Sequence, residues 1–205
     1  MEDLKATLLM QIANLFMRNG IKSMTMDDIA KSMGISKKTL YKHFKNKADL
    51  VYKVLEGYLE EEKKVLEIIC KSGFNAIDEM FEITKYASTQ IKDINPAIHY
   101  DLQKYYPKAW QVFVNYKYNS VFAIVASNLQ KGIREGFYRI NINIPIVAKI
   151  YISRIDMLFD PQLFPVSEFK FVDVLEEMIH YHIRGISGDK GLKHLLKKVK
   201  NTSTK

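Results

Sequence analysis

Between Ser36 and Lys47 the chain gathers Lys37, Lys38, Thr39, Tyr41, Lys42, His43 and Lys47 around two apolar residues, Leu40 and Phe44, that stand four apart. On a helix Leu40 and Phe44 share the inner face, and most of the others project outward. Ammonium groups, an imidazole and hydroxyls on one exposed surface suit phosphate oxygens and the edges of bases. Lysine-rich helix faces are also common as plain solvated surface, so charge alone does not decide between the two. The elements around the segment do.

Thr25 can cap a helix by accepting an N–H of the first turn, and Asp27 and Asp28 then fall where the helix dipole favours acids. Ile29, Ala30 and Met33 follow along one face. Gly34 comes where the chain must turn, in a left-handed conformation that glycine adopts cheaply. Ile35 plugs the turn and Ser36 caps the next helix. Asn46 caps a third, with Asp49 three residues on as in a capping box, and Lys47 in its first turn can meet a phosphate. Two short helices about a glycine turn form a helix-turn-helix, which places its second helix in the major groove.

The run Thr25 to Leu50 resembles the DNA-binding region of the TetR transcriptional repressors, matching at Thr25, Ile29, Ala30, Gly34, Ser36, Leu40, Tyr41, Phe44, Lys47 and Leu50. The resemblance implies an all-α homodimer, with an N-terminal three-helix DNA-binding domain and a larger C-terminal helical domain that binds a ligand and dimerises, of about nine helices. It implies phosphate contacts at Thr25, Tyr41, His43 and Lys47, and base reading at Ser36, Lys37, Lys38, Thr39 and Lys42. Lys37-Lys38 is more basic than the small residues often found there. We place the domains at residues 1–47 and 48–205.

The first helix is expected over about Asp3–Arg18, with Leu4, Leu8, Ile12 and Leu15 or Phe16 inward and Asn19-Gly20 as its stop. Lys47 to Lys71 reads as a long connecting helix, and Ala76 to Lys92 as the next. Asn95-Pro96 and Tyr106-Pro107 each put proline at a helix start, giving a short helix to Tyr105 and a long one to Glu135. Phe137 to Ile144 alternates, with Ile140, Ile142 and Ile144 on one side, but lacks a partner strand and reads as an extended connector. Pro145 opens a helix to Phe159, and Ser167 caps one to Ile186. Val172, Leu175, Ile179, His182 and Ile186 form a narrow seam on that helix. With Ile146 and Ile150 on the preceding one, it is the expected four-helix dimer interface. The tail from Gly188 carries Leu192, Leu195, Leu196 and Val199 on one face. It is expected to dock on the body, with Asn201 to Lys205 unstructured.

Of the 205 residues, 31 are Lys or Arg and 23 Asp or Glu, a net charge of +8. Residues 1–50 carry +4 and residues 184–205 carry +6, so basic charge sits at the two ends, as suits a protein that meets nucleic acid there. No apolar run is long enough to span a membrane and no secretory signal is evident, so a cytoplasmic location is expected. Cys70 is the one cysteine and reads as a buried structural thiol. His180 and His182 diverge by about 200° on a helix and cannot share a metal. His99, Tyr100 and Asp101 read as surface or pocket lining rather than an acid–base site. No catalytic motif, metal site or cofactor signature is present, so an enzyme is not expected.

Aromatic residues crowd positions 74 to 125. Phe81, Tyr100, Gln103, Trp110, Phe113 and Tyr116 are the candidate lining of a pocket for a flat or greasy effector. The expected function is a dimeric, ligand-responsive repressor, bound to a palindromic double-stranded DNA operator and released by a small, largely apolar or aromatic effector. The alternative is a small-molecule carrier or interaction module with a vestigial helix-turn-helix. An architectural DNA binder, with little sequence preference, is a third reading.

Overall fold

The computed structural model describes residues 2–92 and 94–202, those before Thr7 and after Val199 by backbone alone. The side chain of Leu4 and residues 203–205 of the expected unstructured end lie outside this description. Among the described residues eleven α-helices run in order: α1 (Glu2–Asn19), α2 (Met26–Ser32), α3 (Lys37–His43), α4 (Lys47–Lys71), α5 (Ala76–Ile91), α6 (Ala97–Tyr105), α7 (Pro107–Tyr116), α8 (Phe122–Arg134), α9 (Ile144–Met157), α10 (Phe171–Ile186) and α11 (Asp189–Thr202). Among the described residues the only β pairing is an isolated bridge between Tyr138 and Ser187.

The chain divides into two compact units that do not follow chain order: residues 1–65 with 93–117, and residues 66–92 with 118–205. The division at residue 47 thus separates expected tasks, not packed bodies.

In the first unit Ile12 and Phe16 of α1, Ile29 and Ala30 of α2, Leu40 and Phe44 around α3, and Leu50, Val51 and Val54 of α4 form one buried core. Leu102 and Ala109 from α6 and α7 complete it. A polar link fastens α6 to the turn after α1. One carboxylate oxygen of the buried Asp101 accepts the backbone N–H groups of Ile21 at 3.2 Å and Lys22 at 2.8 Å. The Asn95 N–H donates to the Met17 carbonyl at 2.6 Å. Pro96 stands just before α6 rather than at its first position.

The second unit packs α5 against α8 and α10, α8 against α9, and α11 against α10. Its core includes Ile77, Met80, Leu129, Ala148, Ile179, Ile183 and Leu195. Gly132 lets the Tyr138 ring lie directly on α8, where any Cβ would overlap the ring. The Tyr138 hydroxyl donates to Asn128 Oδ1 at 3.0 Å, and Asn128 in turn donates to Glu79 and to the Ala76 carbonyl.

Some expectations need correction. The helix from Pro107 does not run regularly to Glu135; residues Lys117–Val121 form a π-helical turn between α7 and α8. Such a turn adds a residue to the spiral without breaking it, so apolar spacing alone does not reveal it. Ser167 does not cap α10, which begins at Phe171 after Lys170 with no side-chain cap. In the 137–144 connector Tyr138 is the buried residue, Ile142 and Ile144 are half-buried and Ile140 is 88% exposed. The seam on α10 faces inward as well: Leu175, Ile179, His182 and Ile186 are buried in the chain's own core, and Val172 is half-buried. The four buried side chains are therefore covered by the chain itself rather than left for a second chain to meet.

The tail docks within the second unit, where His194 lies 3.1 Å from Asp78 of α5 and Lys190 donates to the Glu135 carbonyl. Its helix continues past Asn201 to Thr202.

Candidate nucleic-acid interface

The expected reader is built from its caps. Thr25 accepts the Asp28 N–H at 3.2 Å, and the Asp28 carboxylate accepts the Thr25 N–H at 2.9 Å and its hydroxyl at 2.6 Å, closing a capping box at the start of α2. These bonds hold the Asp28 carboxyl below its ordinary pKa. Gly34 takes φ +66°, and the Ile35 N–H reaches back to the Ala30 carbonyl at 3.0 Å. Ser36 then caps α3 by accepting the Thr39 N–H at 3.0 Å, with the two hydroxyls 2.8 Å apart. At the start of α4, Asn46 accepts the Asp49 N–H at 2.9 Å, while Asp49 bonds the N–H of Lys45 rather than that of Asn46.

On this frame Leu40 and Phe44 are fully buried, whereas Lys37, Lys38, Tyr41, Lys42 and His43 are exposed on α3. Ser36 and Thr25 are also exposed, but each hydroxyl is engaged in its cap, and Thr39 is half-buried. Lys37 is tied back to α2 by an exposed ion pair with Asp27 at 2.7 Å, which raises its pKa. In this arrangement Lys38 and Lys42 are the freer cations of the helix. Lys47 is half-buried; its Nζ donates to the Lys22 carbonyl at 3.3 Å and stands 5.9 Å from the Tyr106 ring centroid. Burial lowers its pKa from the usual lysine value. Sequence reasoning missed Lys53. From α4 it pairs with Asp49 at 2.9 Å and donates to the His43 carbonyl at 3.3 Å, at the C-terminal end of α3, where a cation is favoured. Its one visible signal was the four-residue spacing from Asp49.

The candidate effector residues do not gather as a set. Trp110 and Phe113 lie with ring centroids 5.3 Å apart, and His99 stands edge-on to Trp110 at 4.8 Å. Tyr116 is half-buried on the same helix. Tyr100 is 52% exposed and bonded to Lys104, and Gln103 is exposed, so neither lines an interior. Phe81 belongs to the other unit, beside His180 at 5.8 Å and under Lys198. Of the expected dimer residues, Ile146 and Ile150 remain outside, at 55% and 45% exposed. Among the described residues no group of acids, histidines and cysteine could hold a metal, and no helix is long and apolar enough to cross a membrane.

A buried helix-turn-helix frame with a basic outer face, in an all-helical chain, defines a DNA-binding regulator. Residues 8–54 match the family of bacterial regulatory proteins, tetR family. The chain is 28% identical over 172 residues to the HTH-type transcriptional regulator YvaF of Bacillus subtilis (strain 168), covering 82% of this chain and 87% of YvaF. It is 27% identical over 140 residues to the HTH-type transcriptional repressor KstR2 of Rhodococcus jostii (strain RHA1), covering 67% and 69% respectively. The solved structure of FadR from Bacillus subtilis in complex with stearoyl-CoA shares the fold, with a TM-score of 0.67 at 17% identity over 87% of this chain and 97% of that one. Residues 8–54 thus carry the N-terminal region of the tetR family of bacterial regulatory proteins, and over most of its length the chain is similar to HTH-type transcriptional regulators.

Proposed function

We propose that this regulator is a repressor that binds a palindromic operator as a homodimer and is released by a small, largely apolar effector. The observation that carries DNA reading is the division of α3, with Leu40 and Phe44 fully buried and Lys37, Lys38, Tyr41, Lys42 and His43 in solvent. Residues 1–47 handle DNA and the remainder senses and dimerises. Tyr41, His43, Lys47 and Thr25 meet phosphates, while Lys38, Lys42, Thr39 and, once released from Asp27, Lys37 face bases. Ser36 contributes chiefly by fixing the start of the helix.

Repression is supported by the likeness to KstR2, named a repressor, and an apolar effector by the fold shared with FadR, solved with stearoyl-CoA. Trp110, Phe113 and Tyr116, with His99, are the aromatic surface we assign to the effector. Effector binding acts through its difference in affinity for two states of the dimer; ~1–3 kcal/mol of coupling changes DNA affinity about 5–150-fold.

Selection of bound duplexes from a random library tests the reading. A near-palindromic consensus is expected, and Lys38→Ala should relax the preference at one position of each half-site. Recovery of no consensus would remove the repressor reading and favour a carrier or an architectural binder. An identical consensus for Lys38→Ala would remove Lys38 from the base readers.

A further inference from the structure

Several lysines among the described residues lie beside acids. Lys37 pairs with Asp27, Lys53 with Asp49, Lys64 with Glu61, and Lys131 with Glu79. Lys22 and Lys104 differ. Among the described residues Lys22 Nζ makes no ion pair with a carboxylate; it donates to the Tyr105 hydroxyl at 3.0 Å and lies 4.6 Å from that ring's centroid. Lys104 donates to the Tyr100 hydroxyl and stands 5.0 Å from the Tyr100 centroid and 5.5 Å from that of Tyr105. A tyrosine face orients an ammonium without cancelling its charge. The nearby acid, Asp101, is buried and committed to the backbone of Ile21 and Lys22. Both lysines and both rings are exposed.

The cluster adjoins the expected DNA surface. The carbonyl of Lys22 accepts from Lys47, the lysine at the start of α4, and α6 belongs to the same compact unit as the helix-turn-helix. We propose that Lys22 and Lys104, held by Tyr105 and Tyr100, form a second phosphate-binding patch that extends the operator interface from the helix-turn-helix onto α6. This rests on the DNA-binding reading above. The patch meets the sugar–phosphate backbone alone, so it adds affinity without sequence preference. It also brings a helix from outside the expected DNA-binding domain into contact with the duplex.

The test uses the full chain and a labelled duplex recovered by binding-site selection, titrated across potassium chloride concentrations. Parent protein is compared with Lys22→Gln/Lys104→Gln, with the charge-keeping Lys22→Arg/Lys104→Arg, and with Lys85→Gln on α5 as a control. Each phosphate contact contributes about 0.9 to the slope of log affinity against log salt, so removing four in a symmetric dimer should lower it by about 3.6. The operator and a scrambled duplex should weaken by the same factor, and phosphate-ethylation interference should lose the corresponding signals. The arginine pair and the Lys85 variant should keep the parent slope. Lys104→Gln alone, at an exposed helix position, should remove about half of the effect and guards against misfolding of the double variant. A parent that binds steeply beside a double variant with unchanged slope and interference pattern would overturn the patch. A parent that binds no duplex would instead overturn the DNA-binding reading itself.

Discussion

Asp101 links distant parts of the sequence through a single oxygen. Its carboxylate holds the Ile21 and Lys22 N–H groups across a separation of 80 and 79 residues, at the turn that leads into α2. Removing it leaves two donors without their acceptor, one of them buried, at a cost of about 1–3 kcal/mol for each that water cannot reach. Asp101→Ala should therefore lower the stability of the protein by about 1–3 kcal/mol in denaturant unfolding, whereas Asp101→Asn keeps one carbonyl oxygen for both bonds and should lose about 1 kcal/mol or less. Equal losses for the two variants would show that charge, not the acceptor, is what matters there. The caps Thr25, Ser36 and Asn46 were legible in the sequence because donor and acceptor lie within three residues. Asp101 was not, because nothing local marks a carboxylate whose partners lie far along the chain. Trp110 and Phe113 were both candidates in the sequence and their rings do meet, but the exposure of Tyr100 and Gln103 depends on neighbours that local sequence does not name.

Among the elements, α1 to α4 were legible nearly to the residue, since each carries its own stop or start in Gly20, Thr25, Gly34, Ser36 or Asn46, and α5 was legible within a residue at its far end. The helix from Pro107 was legible at both ends but not in its π-helical middle. The direction of α10 was misread because a three-four apolar spacing specifies a buried stripe without saying whether the chain itself or another covers it. Here the chain covers it, and His182 lies in that stripe, with Tyr151 edge-on at 4.9 Å. Burial, aided by the Arg154 charge, depresses the His182 pKa to about 4. An unfolded chain binds this proton near pH 6.5 and the folded one only near pH 4, so stability falls as pH drops through that window and levels off below it. Between pH 7 and pH 5 the group should remove about 2 kcal/mol. Carboxylates titrate in the same range, so the expected result is a difference: His182→Leu should lose less stability than the parent over that interval, read from thermal or urea unfolding at each pH. Parallel pH profiles would mean that the imidazole reaches solvent or is charged in the folded state.

For the whole molecule, the inward seam moves the proposed dimer contact to a different face of the same helices. Ile146, Ile150, Ser153 and Met157 form an exposed stripe along α9, at spacings of four, three and four, and Arg154 reaches over the exposed Tyr181 ring of α10, 5.2 Å from its centroid. An apolar stripe beside an exposed aromatic is the surface that a second copy would cover in an isologous pair. Lysines placed within it would be desolvated against their own symmetry mates, which disfavours association strongly. Ile146→Lys/Ile150→Lys should therefore sediment as a monomer at concentrations where the parent is a dimer, and should unfold cooperatively because neither side chain belongs to the core. Operator affinity should fall about 10²–10⁴-fold, since the two recognition helices would no longer bind as a linked pair. Leu196→Lys, at an exposed apolar position on α11, supplies the comparison and should leave both properties unchanged. A double variant that stays dimeric would move the contact off α9. One that becomes monomeric yet binds the operator as tightly as the parent would separate dimerisation from DNA reading and end the case for a symmetric half-site pair.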